Sequence, residues 1–93
     1  MEIESVRHKA LRLFADTGKS KGLIEVERLS RMLNFIAYAE SFEDLALPPN
    51  YGFHALTGDR KGVFAMTVTR NWRLTFTKVD EHTIADLDLE DYH

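Results

Sequence analysis

Three short runs decide the fold: Val63-Phe64-Ala65-Met66-Thr67-Val68, Trp72-Arg73-Leu74-Thr75-Phe76-Thr77 and Thr83-Ile84-Ala85-Asp86-Leu87-Asp88-Leu89. Each is rich in β-branched or aromatic residues, and the second and third alternate apolar with polar side chains, the period of a half-buried strand. Thr69-Arg70-Asn71 and Asp80-Glu81 supply turn-forming residues between them. The spacing predicts a three-stranded antiparallel meander. Alternation sends Trp72, Leu74 and Phe76 to one face and Arg73, Thr75 and Thr77 to the other.

N-terminal to this region, Pro48-Pro49 with Asn50 and Gly52 marks a break in pattern, and before it the period is helical. Val6, Ala10, Leu13 and Phe14 recur at helical spacing up to Thr17-Gly18, where glycine can take the left-handed cap conformation. From Gly22 to about Ala39, Val26, Leu29, Leu33 and Ile36, with Met32 beside them, form one apolar stripe. Glu27 and Arg31 stand one turn apart on the polar side, where they can pair. Residues around Ile3 add a short first strand. The expected architecture is α+β: two N-terminal helices on one face of a small twisted antiparallel sheet of three to four strands. The helices need an apolar surface, so they cover the Trp72 face and leave Arg73 on the open side.

The chain has 93 residues, 44% apolar and 29% charged, which fits one globular domain over 1–93 and excludes disorder. The absence of cysteine excludes disulfides, zinc-thiolate sites and a thiol nucleophile. No run approaches the roughly 20 apolar residues of a membrane span, and no secretory leader precedes the first helix, so a cytoplasmic location is expected.

The net charge of −3 hides a segregation. Residues 1–46 are nearly balanced at −1. Residues 47–78 carry Arg60, Lys61, Arg70, Arg73 and Lys78 against Asp59, a net of +4. Residues 79–93 carry six carboxylates and no Lys or Arg, a net of −6. An acidic total therefore does not exclude a nucleic-acid partner.

Gathered on the open face and its rim are His54, Asp59, Arg60 and Lys61 from the loop entering the meander, Arg73 mid-strand, and Asp91-Tyr92-His93 at the end. No phosphate-binding glycine loop, nucleophile elbow or metal-ligand spacing is present, and no cofactor is expected. The set pairs titratable imidazole and phenol groups with fixed cations. Cleavage of RNA through its own 2′-hydroxyl needs that combination: a base for the hydroxyl proton, cations for the phosphorane charge, an acid for the leaving oxygen. Histidine suits both transfers, and the arginine fork suits the phosphate. Taken singly, each residue also has a structural explanation. His54 can bond its own loop, Arg73 can be a cross-strand ion-pair residue, and Asp86, Asp88, Glu90 and Asp91 can pair with Arg60, Lys61 and Arg73 inside the fold.

The motifs Gly52-Phe53-His54-Ala55-Leu56-Thr57-Gly58-Asp59-Arg60-Lys61-Gly62, Asn71-Trp72-Arg73-Leu74-Thr75-Phe76 and Asp91-Tyr92-His93, in this order and spacing, resemble the HigB toxins of the RelE-like superfamily. The resemblance runs nearly end to end. It implies a RelE-like fold and a toxin of a type II toxin–antitoxin system, a ribosome-dependent endoribonuclease that cuts mRNA during translation. It also implies a HigA-like helix-turn-helix antitoxin as partner in a hetero-oligomer. By position it implies catalytic roles for His54, Arg73, Asp91, Tyr92 and His93, with Arg60, Lys61 and Arg70 contacting phosphate. Ala55 and Thr57 depart from the family's usual His-Pro-Leu-Lys loop, and the lost lysine removes one phosphate contact.

Two other readings stay open. A ParE-like gyrase inhibitor would share the fold without needing the histidines. A catalytically degenerate toxin would keep only antitoxin binding, and Ala55 and Thr57 leave room for it.

Overall fold

The computed structural model describes residues 1–91. Its strands are β1 (Glu2–Ile3), β2 (His54–Ala55), β3 (Val63–Thr67), β4 (Trp72–Asp80) and β5 (Thr83–Asp91), and they form one sheet in the order β1-β5-β4-β3-β2. The meander expected from alternation is its centre. β3, β4 and β5 pair antiparallel, with Phe64 opposite Phe76, Met66 opposite Leu74, and Leu74 opposite Leu89.

The expected three to four antiparallel strands become five in a mixed sheet. β2 adds a two-residue strand beside β3, with His54 opposite Ala65. β1 is the expected first strand, but it runs parallel to β5, with Ile3 opposite Ile84. Two residues carry no readable period, and the parallel pairing joins the two ends of the chain, beyond any local pattern.

The helices are α1 (Lys9–Thr17) and α2 (Val26–Tyr38). Val6 lies outside α1 and bridges to Leu87, extending the parallel pairing. The helix starts where His8 Nδ1 accepts the Leu11 amide at 3.2 Å, and it ends at Gly18 (φ +79°), whose amide donates to Phe14 O. The buried stripe also differs from the expected one. Leu11 is fully buried, whereas Leu13, expected in the stripe, is 44% exposed. α2 begins at Val26, later than Gly22, because Glu25 stands in the left-handed region at φ +49°. Its Leu29, Met32 and Ile36 are buried as expected.

These side chains meet Met66, Leu74, Phe76, Leu87 and Leu89 on the covered face of the sheet. A turn at Phe42–Ala46 closes the core: Phe42 lies edge-on to Phe64, with centroids 4.8 Å apart, and Phe53 stacks on Phe64 at 5.7 Å. Among the described residues no helix is long and apolar enough to cross a membrane.

Two irregularities shape the β4–β5 ladder, one between Thr75 and Thr77 and one between Lys78 and Asp80. At the first, Asp86 takes φ +54°, and its amide is held by Ser5 Oγ at 2.9 Å. On the outer side of β5, Leu87 N donates to Ser5 O and Leu87 O accepts from Arg7 N. Two residues on, Leu89 N donates to Asp88 Oδ1 at 2.9 Å.

Candidate functional site

The uncovered face is read directly from the register, because residues directly opposite one another share a face. One row runs His54, Ala65, Thr75, Asp88 across β2 to β5, and the next runs Thr67, Arg73, Glu90 across β3 to β5. His54 and Arg73 therefore lie on the same open face, two strands across and two residues along, about 12 Å apart at their Cα atoms on ideal sheet spacings. Arg73 falls on the open side as alternation requires.

His54 is exposed, and its Nδ1 lies 2.8 Å from Gly52 O. A carbonyl only accepts, so Nδ1 carries the proton and Nε2 is the basic nitrogen of the neutral ring. The loop that holds it is packed closely. Gly52 (φ +69°) sits where an added Cβ would meet Thr67 Oγ1 at 3.1 Å, and Thr67 is the residue opposite Arg73. From the helix layer, Arg28 donates to Thr67 O at 3.3 Å and lies 5.1 Å over the Tyr51 ring. Arg28 thus pins the loop from below. Its signal in the sequence was weak, one of two arginines (with Arg31) in an amphipathic helix.

Arg60 and Arg73 converge on Glu90. Arg60 makes a two-pronged contact, Nη1–Oε1 and Nη2–Oε2 both 2.7 Å, and Arg73 Nη2 stands 3.6 Å from Oε1. Beneath them Thr75, only 2% exposed, donates its hydroxyl to Glu90 Oε2 at 2.6 Å. The Arg60 hydrogen bonds foremost, then the Thr75 bond and the two guanidinium charges, hold the Glu90 carboxyl at about 2, outweighing the burial that pushes it up. The same bond with Glu90 raises the Arg60 pKa. Two cations and one carboxylate leave this cluster with one net positive charge.

Lys61 is exposed just past the Gly58–Arg60 turn, and Arg70 is exposed in the β3–β4 turn near the Arg73 end of the face. Asp91 is the last residue of β5, opposite Trp72, so its side chain starts from the helix-covered side and not from that of Arg73. Tyr92 and His93 lie outside the described residues. Glu90 was expected only as a carboxylate able to pair with Arg60, Lys61 or Arg73, and it does pair with Arg60 and Arg73; Thr75 was not among the expected site residues. Counting back in equal steps from the two-residue turn Glu81-His82 lands Arg73 opposite Glu90, because the two ladder irregularities cancel. That count was the available signal.

A family model described as the RelE-like toxin of the type II toxin–antitoxin system HigB matches residues 4–93. The chain is 36% identical to a Proteus vulgaris protein named Endoribonuclease HigB, over 98% of this chain and 99% of that one. Its fold is similar to the crystal structure of YafQ from E. coli strain BL21(DE3), with a TM-score of 0.64 and 19% identity, covering 98% of this chain and 92% of that chain.

Proposed function

The chain belongs to the HigB-like toxins, RelE-like toxins of type II toxin–antitoxin systems, and from that membership we propose that it is an endoribonuclease cutting mRNA on the translating ribosome. The observation that carries the reading is the shared open face of His54 and Arg73, in a chain whose 36%-identical relative is named an endoribonuclease. His54 Nε2, or a group from the terminal Asp91-Tyr92-His93, takes the 2′-hydroxyl proton, and its counterpart protonates the leaving 5′-oxygen. Arg73 meets the charge that builds on the phosphorane. Lys61, Arg70 and the exposed edge of Arg60 hold neighbouring phosphates. The reaction draws on side chains and the substrate's own hydroxyl, with no cofactor. A helix-turn-helix antitoxin neutralises the toxin in the cytoplasm, in a hetero-oligomeric complex.

Weak attraction to free RNA is part of this reading. The cluster of Arg60, Arg73 and Glu90 keeps one net positive charge, and β5 adds Asp88 to the same face. A surface neutralising few phosphates binds free RNA weakly and relies on the ribosome for presentation.

The test is primer extension on a defined mRNA, free and on translating ribosomes, with purified protein. Cleavage on ribosomes alone is expected, lost in His54→Ala and Arg73→Ala with the fold intact by circular dichroism. Intact transcripts on ribosomes overturn the reading. A gyrase supercoiling assay run in parallel stays unaffected.

A further inference from the structure

We propose that Glu90 is a positioning residue for Arg73, its carboxylate anchored by Thr75 and Arg60 so that the Arg73 guanidinium is held at the open face in one orientation. This inference rests on the ribonuclease reading above and names a further residue for it.

Three observations carry it. First, the carboxylate is itself tethered: it receives donors from β4 (Thr75 Oγ1, 2.6 Å) and from the Gly58–Arg60 turn (Arg60, two bonds of 2.7 Å). A group tied from below and from the side cannot follow a moving partner, so it sets where the partner goes. Second, Thr75 is the one buried polar side chain among the described core residues, and its hydroxyl is spent on this carboxylate. A buried hydroxyl without a partner is costly, so the sheet itself favours Glu90 in this rotamer. Third, Glu90 and Arg73 are directly opposite on adjacent strands, and the side chain of Arg73 is only 18% exposed. Its guanidinium therefore reaches solvent along a restricted path with Glu90 on one side.

The chemical consequence concerns orientation. An arginine serves a phosphorane only when its planar fork faces the oxygens on which charge develops, and a free four-bond side chain rarely does. The carboxylate, 3.6 Å from Nη2, biases the fork through its charge toward one placement. Arg60 bonds both carboxylate oxygens, so Glu90 keeps its place while the Arg73 guanidinium meets the substrate.

The experiment uses the full chain and Glu90→Gln, which keeps the shape and the acceptor for Thr75 but removes the charge. Single-turnover cleavage on ribosomes is followed at increasing toxin concentration, alone and with Arg73→Ala, together with the Nε–Hε signal of Arg73 in ¹⁵N-labelled protein. Glu90→Gln is expected to slow the cleavage step by about tenfold, with half-saturation changed less than about twofold. In the Arg73→Ala background it should add almost nothing, and the Arg73 signal should move to the position of exposed arginines. A wild-type cleavage rate, an equal loss in both backgrounds, or an unmoved Arg73 signal overturns the proposal. Wild-type protein that leaves mRNA whole on ribosomes overturns the ribonuclease reading instead, and the Arg73 signal still decides the placement. Should Glu90→Gln misfold, Thr75→Val removes the lower tether, with a smaller drop in cleavage rate and a partial move of the same signal; no change in either overturns the proposal.

Discussion

Arg60 and Glu90, 30 residues apart, meet in two parallel hydrogen bonds of 2.7 Å each. The contact ties the turn that precedes β3 to the last strand of the sheet. The loop side of the open face and its β5 side are thereby one unit, although the chain between them includes two whole strands. With the Arg60 side chain 42% exposed and that of Glu90 21%, the pair contributes modestly to stability, more through fixed geometry than through raw Coulomb energy.

Acid exposes this contact. The unfolded chain takes up a proton at Glu90 near its ordinary 4.5, while the folded protein keeps the group ionised to about 2. Protons therefore favour the unfolded chain across that interval, and the contribution of Glu90, full above it, is lost as pH falls. Urea midpoints measured at about pH 6 and about pH 3 should drop further for wild-type protein than for Glu90→Gln. Identical drops would remove the carboxylate from the acid response.

Two glycines with the same backbone angle separate strain from contact. Gly52 and Gly58 both have φ +69°, but an added Cβ meets Thr67 Oγ1 at 3.1 Å in the first case and nothing within 4 Å in the second. Gly58→Ala should cost about 1 kcal/mol, the left-handed penalty alone. Gly52→Ala should cost more and also impair cleavage, since the loop carrying His54 has to shift. Denaturant unfolding and ribosome cleavage measured on both variants check the pair.

The two leucines of α1 make a simpler contrast. Leu11 is fully buried against the sheet and Leu13 is 44% exposed. Leu11→Ala should destabilise by about 2–5 kcal/mol through lost burial and the cavity left behind. Leu13→Ala should stay within about 0.5 kcal/mol, measured by urea unfolding.

Salt dependence sorts the cations by whether their charge is already matched. Lys61 and Arg70 are exposed, and neither forms an ion pair with another of the described residues. Lys61→Gln and Arg70→Gln should each lower the log–log salt slope of single-stranded RNA binding by about 0.7. Arg60→Gln should lower it less, because that charge is already met by Glu90. Fluorescence anisotropy across a salt series reads all three.

The central meander, the apolar stripe of α2 and the open-face position of Arg73 were legible because each depends on a local period. β2 was not, since His54-Ala55 is too short to show alternation and is defined only by its partner Ala65. The start of α1 was misplaced because Val6 is apolar for a different reason, its bridge to Leu87 at the far end of the chain. At the site, the sequence offered the cations and histidines by type. It did not distinguish Arg60, bound to Glu90, from Lys61 beside it. Nor did it separate Asp91 from Arg73, which the register puts on opposite sides of the sheet. Such distinctions depend on which residues end up opposite one another, a property of two strands together.

The Leu89 amide points away from β4, in the direction that Leu87 uses to reach Ser5 and Arg7, and the side chain of Asp88 takes its hydrogen bond. Beyond its pairing with β1 and Val6, this end of β5 is an edge among the described residues, and an edge normally presents such amides as a template for another chain. Here one donor is already satisfied from within, and Asp86, Asp88 and Asp91 charge the same stretch with one sign. Two copies brought edge to edge would meet repulsion and a missing hydrogen bond. The acidic end of the chain thus serves colloidal solubility, keeping β5 from propagating its sheet into a neighbouring molecule.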